Sequence, residues 1–393
     1  MTDLFAPLQS LKEGHWFKLI CGASYQHLPA VRSLTLAYTL AGADCIDVAA
    51  DPAVIAAAQA ALHIAKDLAR DAQERGFGYK GNSPFLMVSL NDGEDPHFRK
   101  AEFNYTQCPT DCPRPCQRIC PAQAIVFNSI KEDFSGVVAQ KCYGCGRCIP
   151  VCPYDIIYTS SYMSTPGAIA PLVMSTGVDA VEIHTKVGRL AEFERLWQAI
   201  SPWVDGLKVV AISCPDGEGM IDYLKALYEL ITPLKSALIW QTDGRPMSGD
   251  IGDGTTLAAV KLGQKVLTAK LPGYVQLAGG TNSYTVAKLK AMGLLKRGGQ
   301  GRQGGQGGQG GQEGISPLSP PSPLSPPSSI SGVAYGSYAR VLLSPILEQL
   351  ENKEVSNTNF KTTVHLEEDE ELLWQAVKLA HSLVSQIKSQ QEH

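Results

Sequence analysis

Eight short apolar runs alternate with helix-forming segments along this chain, and that alternation narrows the fold more than any other feature. The runs are 16–21 (WFKLIC), 45–50 (CIDVAA), 84–91 (PFLMVSLN), 179–185 (DAVEIHT), 207–213 (LKVVAIS), 236–242 (SALIWQT), 274–280 (YVQLAGG) and 332–337 (GVAYGS). They lack the strict in–out alternation of a half-wet strand, so they read as parallel strands covered on both faces. Helical patterning follows at 29–42, 52–75, 167–177, 189–200, 219–231, 255–270, 283–295 and 338–352, with Pro52 at a first helical position. This predicts an α/β chain folded as a (β/α)8 TIM-like barrel. An open doubly wound sheet shares the local pattern; the count of eight favours the barrel.

One segment breaks the alternation. Eight of the eleven cysteines fall between Cys108 and Cys152, after the third strand and before its helix. The second half reads Cys142-x2-Cys145-x2-Cys148-x3-Cys152-Pro153, the spacing by which bacterial ferredoxins hold a four-iron cluster. Close spacing lets three thiolates of one loop reach three corners of a cube. Gly144 and Gly146 let the backbone wrap the inorganic sulfide. The first half reads Cys108-x3-Cys112-x3-Cys116-x3-Cys120-Pro121, with wider leading gaps but the same ending, so the two halves form an internal repeat.

Other uses of the cysteines fit less well. Zinc sites space two cysteine pairs further apart. Disulfides belong to oxidising compartments. The first residues carry charges where a signal peptide needs an apolar run, and no stretch reaches membrane-spanning length. The chain is therefore expected to be cytoplasmic, with its thiols reduced. Net charge is −4, from 34 basic and 38 acidic residues, and gives no footprint for nucleic acid. Cys21, Cys45 and Cys214 lie in or at the ends of strands and read as small buried hydrophobes.

These features divide the chain as follows. Residues 1–100 hold strands one to three, 101–162 the cysteine segment, and 163–296 strands four to seven. Residues 297–330, rich in Gly and Gln and then Pro and Ser, read as a disordered insertion. Residues 331–355 form the last barrel unit and 356–393 an acidic, then amphipathic, terminal helix. Its apolar positions Leu372, Leu373, Val377, Leu379, Leu383 and Ile387 favour docking on the barrel over docking on a partner.

Barrel chemistry sits at the carboxyl ends of the strands. There, Gly279, Gly280, Gly336 and Ser337 offer backbone amides to an anion, which resembles the phosphate grip of flavin-dependent barrels and admits FMN as a ligand. Asn91, His184, Gln241 and Asp243 also fall at strand ends, where capping and turn roles are the ordinary ones. No nucleophile stands beside an evident base.

Residues 105–158 resemble a two-cluster bacterial-type ferredoxin domain. The resemblance implies two [4Fe-4S] clusters that exchange their last ligands. One would be held by Cys142, Cys145, Cys148 and Cys120, the other by Cys108, Cys112, Cys116 and Cys152. The wide first motif leaves room for a three-iron cluster. Nearly the whole chain, outside the Gly/Gln/Pro/Ser insertion, resembles the cyanobacterial light-dependent period (LdpA) family. The stretches that carry this are CPTDCPRPCQRICPAQAI, KCYGCGRCIPVCPYDIIY, EGHWFKLICGASYQHLP and VQLAGGTNSYT. That resemblance implies an iron–sulfur protein conveying light-dependent redox state to the circadian clock, with protein partners in the clock input pathway. The residues themselves leave three functions open: a redox sensor, a flavin-dependent reductase fed through the clusters, and a simple electron carrier. A barrel of this size is superfluous for the last.

Overall fold

The structure is a computed structural model. It describes all residues except 1–5, 23–27, 94, 121, 130–133, 140, 143–145, 147, 165, 245–254, 297–326, 357–363 and 389–393.

Twelve strands are present among the described residues: β1 (Trp16–Ile20), β2 (Cys45–Ala49), β3 (Phe85–Asn91), β4 (Asp95–Glu102), β5 (Ile125–Ser129), β6 (Phe134–Val137), β7 (Tyr158–Ser164), β8 (Ala180–His184), β9 (Val209–Pro215), β10 (Ala237–Asp243), β11 (Tyr274–Ala278) and β12 (Gly332–Tyr335). Eight of them close into a parallel barrel in the order β1-β12-β11-β10-β9-β8-β3-β2. The helices are α1 (Ala6–Glu13), α2 (Leu28–Leu40), α3 (Pro52–Asp67), α4 (Ala69–Glu74), α5 (Pro115–Ile119), α6 (Pro166–Met174), α7 (Leu190–Val204), α8 (Met220–Ile231), α9 (Thr256–Thr268), α10 (Thr285–Ala291), α11 (Ser337–Ser356) and α12 (Glu370–Lys388). Every barrel strand lies within about two residues of its expected position, an ordinary margin for strand ends.

Three departures from the sequence reading have local causes. The helix expected over 52–75 is two helices, α3 and α4, separated at Leu68. Asp51 starts α3 by accepting a hydrogen bond from the Ala53 amide at 2.8 Å, and Pro52 supplies the preset φ of the first turn. Second, α1 precedes the first strand and stops up the amino end of the barrel. Third, the insertion expected to reach residue 330 gives way to packed chain sooner. Ile330 is fully buried and bridges Leu295, because an apolar side chain at the end of a Pro/Ser run gains by leaving water. The earlier part of that insertion lies outside the described residues.

Strand periodicity sorts the barrel into two surfaces. Phe17, Leu19, Ile46, Val48, Leu86, Val88, Val181, Ile183, Val210, Ile212, Leu238, Val275, Leu277 and Val333 share one large core with residues of the surrounding helices. The opposite face points inward. Near the amino ends it is apolar, with Trp16, Cys45, Phe85, Met87, Ala180, Val209, Ala211 and Ile239 packed against Leu11 of α1. One layer further along it becomes polar. Helix α12 docks on its own chain through Leu372, Leu373, Val377, Leu383 and Ile387, with Leu379 packed at the margin. Lys388 at its end pairs with Asp44, which precedes β2.

The cysteine segment leaves the barrel at the carboxyl end of β3 and returns through β7 to α6. Strands β4 and β7 pair antiparallel at its base, and β5 and β6 form a second antiparallel pair. Among the described residues, no helix is long and apolar enough to cross a membrane.

Candidate metal centre

The small core of the cysteine segment contains Ala101, Phe103, Ala124, Ile125 and Ile157 together with Cys116, Cys142, Cys148 and Cys152, all buried. Cys120 packs against it half-exposed, and Cys112 is also buried. Cys145 lies outside the described residues. Three thiols of the first motif meet one of the second. Cys108 is hydrogen-bonded to Cys112 and feels the charge of Cys152, while Cys116 feels Cys152, Cys108 and Cys112. Burial pushes the Cys116 thiol up to about 11, and the three neighbouring thiols add to that push against a backbone hydrogen bond from Gln117. Sulfurs gathered this closely repel one another as thiolates, and a cation among them relieves that repulsion.

Backbone amides are aimed at the sulfurs. The Ala101 amide donates to Cys142 Sγ at 3.3 Å, that of Ala124 to Cys120 Sγ at 3.2 Å, and that of Arg114 to Cys112 Sγ at 3.4 Å. Such N–H···S bonds stabilise negative charge on sulfur and so tune a bound cluster. Arg114 takes a left-handed backbone at φ 51° and lays its guanidinium over Phe127 at 4.3 Å, which places a cation near the first motif. Buried sulfur donors with amides directed at them suit an iron–sulfur cluster.

Lys100 of β4 joins this centre to the barrel. Its ammonium donates to Asp51 Oδ2 at 3.1 Å, to the Ala139 carbonyl at 2.6 Å and to the Cys142 carbonyl at 3.0 Å. Asp51 follows β2 and begins α3. One cation therefore touches both the rim of the barrel and the chain that carries Cys142. Asp92, where the segment departs, pairs with Arg189 at 2.8 Å.

The polar layer inside the barrel holds residues the sequence reading passed over. Lys18, Asp47 and Glu182 are buried in mid-strand. Lys18 pairs with Glu182 and, at 2.9 Å, with Asp47. Gln241 accepts from Lys18 at 3.0 Å and donates to Glu182. Gln276 donates to Gln241 at 2.6 Å and accepts from the Trp16 indole at 2.6 Å. Ser89 donates to Asp47 at 2.9 Å. Burial alone would strip the Lys18 proton, but Asp47 and Glu182 hold it well above the usual lysine value. Burial pushes Asp47 upward despite Lys18, and Glu182 adds to that push. The signal was present in the sequence. A charged residue centred in a run such as WFKLI, CIDVA or AVEIH must be paired when both faces are buried.

The four residues proposed to grip an anion stand on neighbouring loops at the same end of the barrel, after β11 and β12. Gly280 has φ 100°, and a Cβ there would lie 2.9 Å from the Thr255 carbonyl oxygen. Close backbone approach therefore already accounts for this glycine. The Ser337 hydroxyl accepts from Arg340, whose other guanidinium nitrogen donates to the carbonyls of Ile20 and Cys21. Burial pushes the Cys21 and Cys214 thiols up to about 12, which keeps both protonated and unreactive.

Comparison with known proteins adds two family matches and one relative. Residues 108–163 match the family described as "LdpA Fe-S cluster-binding domain". Residues 172–386 match "Light dependent period A C-terminal domain". The chain is 46% identical over 382 residues to "Light dependent period A" of Synechococcus elongatus, covering 97% of this chain and 94% of that protein.

Proposed function

We propose, because this chain belongs to the light dependent period A family, that it is an iron–sulfur redox sensor passing light-dependent redox state to the circadian clock. The observation that carries the reading is the gathering of Cys108, Cys112 and Cys116 with Cys152 from the other motif. It supports a ferredoxin-like unit over residues 101–162. One four-iron cluster is assigned to Cys108, Cys112, Cys116 and Cys152, and another to Cys142, Cys145, Cys148 and Cys120. A cluster bound there supplies one-electron exchange. The chain's own part is to hold the sulfurs, to damp their charge with the Ala101, Ala124 and Arg114 amides, and to relay a change in that charge. Lys100 is suited to the relay because it touches the Cys142 carbonyl and the Asp51 carboxylate together. Tyr105, Tyr154 and Tyr158 are exposed on the same segment and offer a contact surface to a redox carrier or a clock component in the cytoplasm.

The test is an anaerobic redox titration followed by electron paramagnetic resonance, with iron, sulfide and flavin measured on the same sample. About eight irons and two reducible four-iron signals without flavin support the sensor. Stoichiometric FMN would replace it with the reductase, its phosphate assigned to Gly279, Gly280, Gly336 and Ser337. A single three-iron signal from the first motif would revise the cluster type there.

A further inference from the structure

The carboxyl-end mouth of the barrel carries an arrangement that the cysteine centre does not use. Glu182 and His184 are two residues apart on β8 and so point to the same inward side. Asp243 ends β10, two strands away. One ligand atom from each of Glu182, His184 and Asp243 comes within 4.8 Å of the other two. His184 Nε2 lies 3.3 Å from Glu182 Oε1. The His184 nitrogen is buried and makes no hydrogen bond. A buried imidazole nitrogen at this distance from a carboxylate oxygen suits a cation shared between them.

The surroundings ask for the same charge. The barrel interior holds Asp47, Glu182 and Asp243 against Lys18 as its lysine. The carboxylates outnumber the single lysine, and a bound cation would offset the excess. Neighbouring donors already fix the carboxylates in place. Gln241 Nε2 donates to Glu182 and, at 3.3 Å, to Asp243 Oδ1, while the Ser213 hydroxyl donates to Asp243 Oδ2. Lys18 takes Oε2 of Glu182, and Oε1, which accepts from Gln241, is the oxygen that faces the histidine. Such hydrogen-bonded partners orient the ligands of a metal.

We propose that Glu182, His184 and Asp243 form a mononuclear divalent-metal site in the barrel mouth, separate from the iron–sulfur centre. One imidazole and two carboxylates suit zinc, manganese or ferrous iron and suit calcium less well. Three protein ligands leave positions open, and His184 and Asp243 are both partly exposed, so those positions face the mouth.

The probe is Mn2+, which thiols bind poorly. Full-length protein with its clusters assembled is freed of loose metal and titrated with Mn2+, following the electron paramagnetic resonance signal of the free ion. One-to-one binding is expected, weakened roughly tenfold or more in His184→Ala and Asp243→Asn, with cluster absorbance unchanged. A measurement on the unaltered protein removes dependence on how the variants fold. Bound Mn2+ should show nitrogen modulation from a single imidazole in a pulsed experiment. Failure to bind either Mn2+ or Zn2+, binding without imidazole nitrogen, or binding unchanged in both variants would overturn the site.

Discussion

The barrel and the cysteine segment stabilise themselves in opposite ways. The barrel buries a continuous apolar shell between strands and helices, which suffices for a chain of this length. Among the described residues, the cysteine segment buries nine in its own core, and four of those are cysteines. Below roughly 70–80 residues a core usually needs disulfides or metal to hold it. The two regions should therefore answer differently to the same insult: the barrel to loss of packing or pairing, the segment to loss of metal.

Metal removal should produce the largest contrast. Chelation under oxidising conditions is expected to open the segment between β3 and α6 to protease while the far-ultraviolet dichroism of the barrel persists. Loss of both together would mean the regions fold as one. Cys120→Ser sharpens the same contrast within the segment. It should perturb the cluster of the second motif and spare that of the first, as read by the two reduced signals. The reverse pattern would sink the exchanged assignment.

Lys18→Met should strike the barrel instead. It strands Asp47 and Glu182 without their cation, and breaking a buried pair from one side costs about 3–5 kcal/mol. Denaturant melts of the barrel should show that loss while iron content stays constant. Lys100→Met tests the joint between the regions. It leaves Asp51 buried without its cation and removes the Lys100 hydrogen bonds to the carbonyls of Ala139 and Cys142, at about 1–3 kcal/mol. Faster hydrogen exchange confined to the rim and the segment that carries Cys142 would be the expected mark.

The smallest effect concerns pH and α12. Burial alone would raise the Glu367 carboxyl, but hydrogen bonds from Arg32 outweigh it and bring it below its ordinary 4.5. The Lys353 ammonium lowers Asp369 below 3.8. A carboxyl lowered by folding stabilises the fold above its unfolded value and loses that contribution as pH falls toward its folded one. Docking of α12 should thus weaken below about pH 4.5, by about 1 kcal/mol or less for such partly exposed pairs. Fluorescence of Trp374, stacked on Phe77, would follow it.

The barrel was legible because its strands are short, apolar and evenly punctuated by helices, and the α12 face because its apolar spacing is regular. Strand β4 was not legible. Its residues DPHFRKAE carry proline and charge, and it is held by pairing with β7, far along the chain. The cysteines proposed as cluster ligands announced themselves by spacing. The barrel layer announced only that Lys18, Asp47 and Glu182 need partners, not which partners they take. His184 and Asp243 read as strand-end polar residues until β8 and β10 place them together, and Glu182 read as part of a strand. What the sequence lacks is the register that turns isolated polar residues into one layer.

That layer has a bearing on how the ring is completed. Trp16, Gln276, Gln241, Glu182, Lys18, Asp47 and Ser89 form one unbroken chain of polar contacts through β1, β11, β10, β8, β2 and β3. Its members come from both halves of the sequence, so no fragment of the barrel can satisfy it. An arc of strands that closed early, or with one strand out of register, would enclose a lysine or a carboxylate with no counterpart and would be driven open by its hydration. The polar layer thus favours the ring in which these six strands have all taken their places.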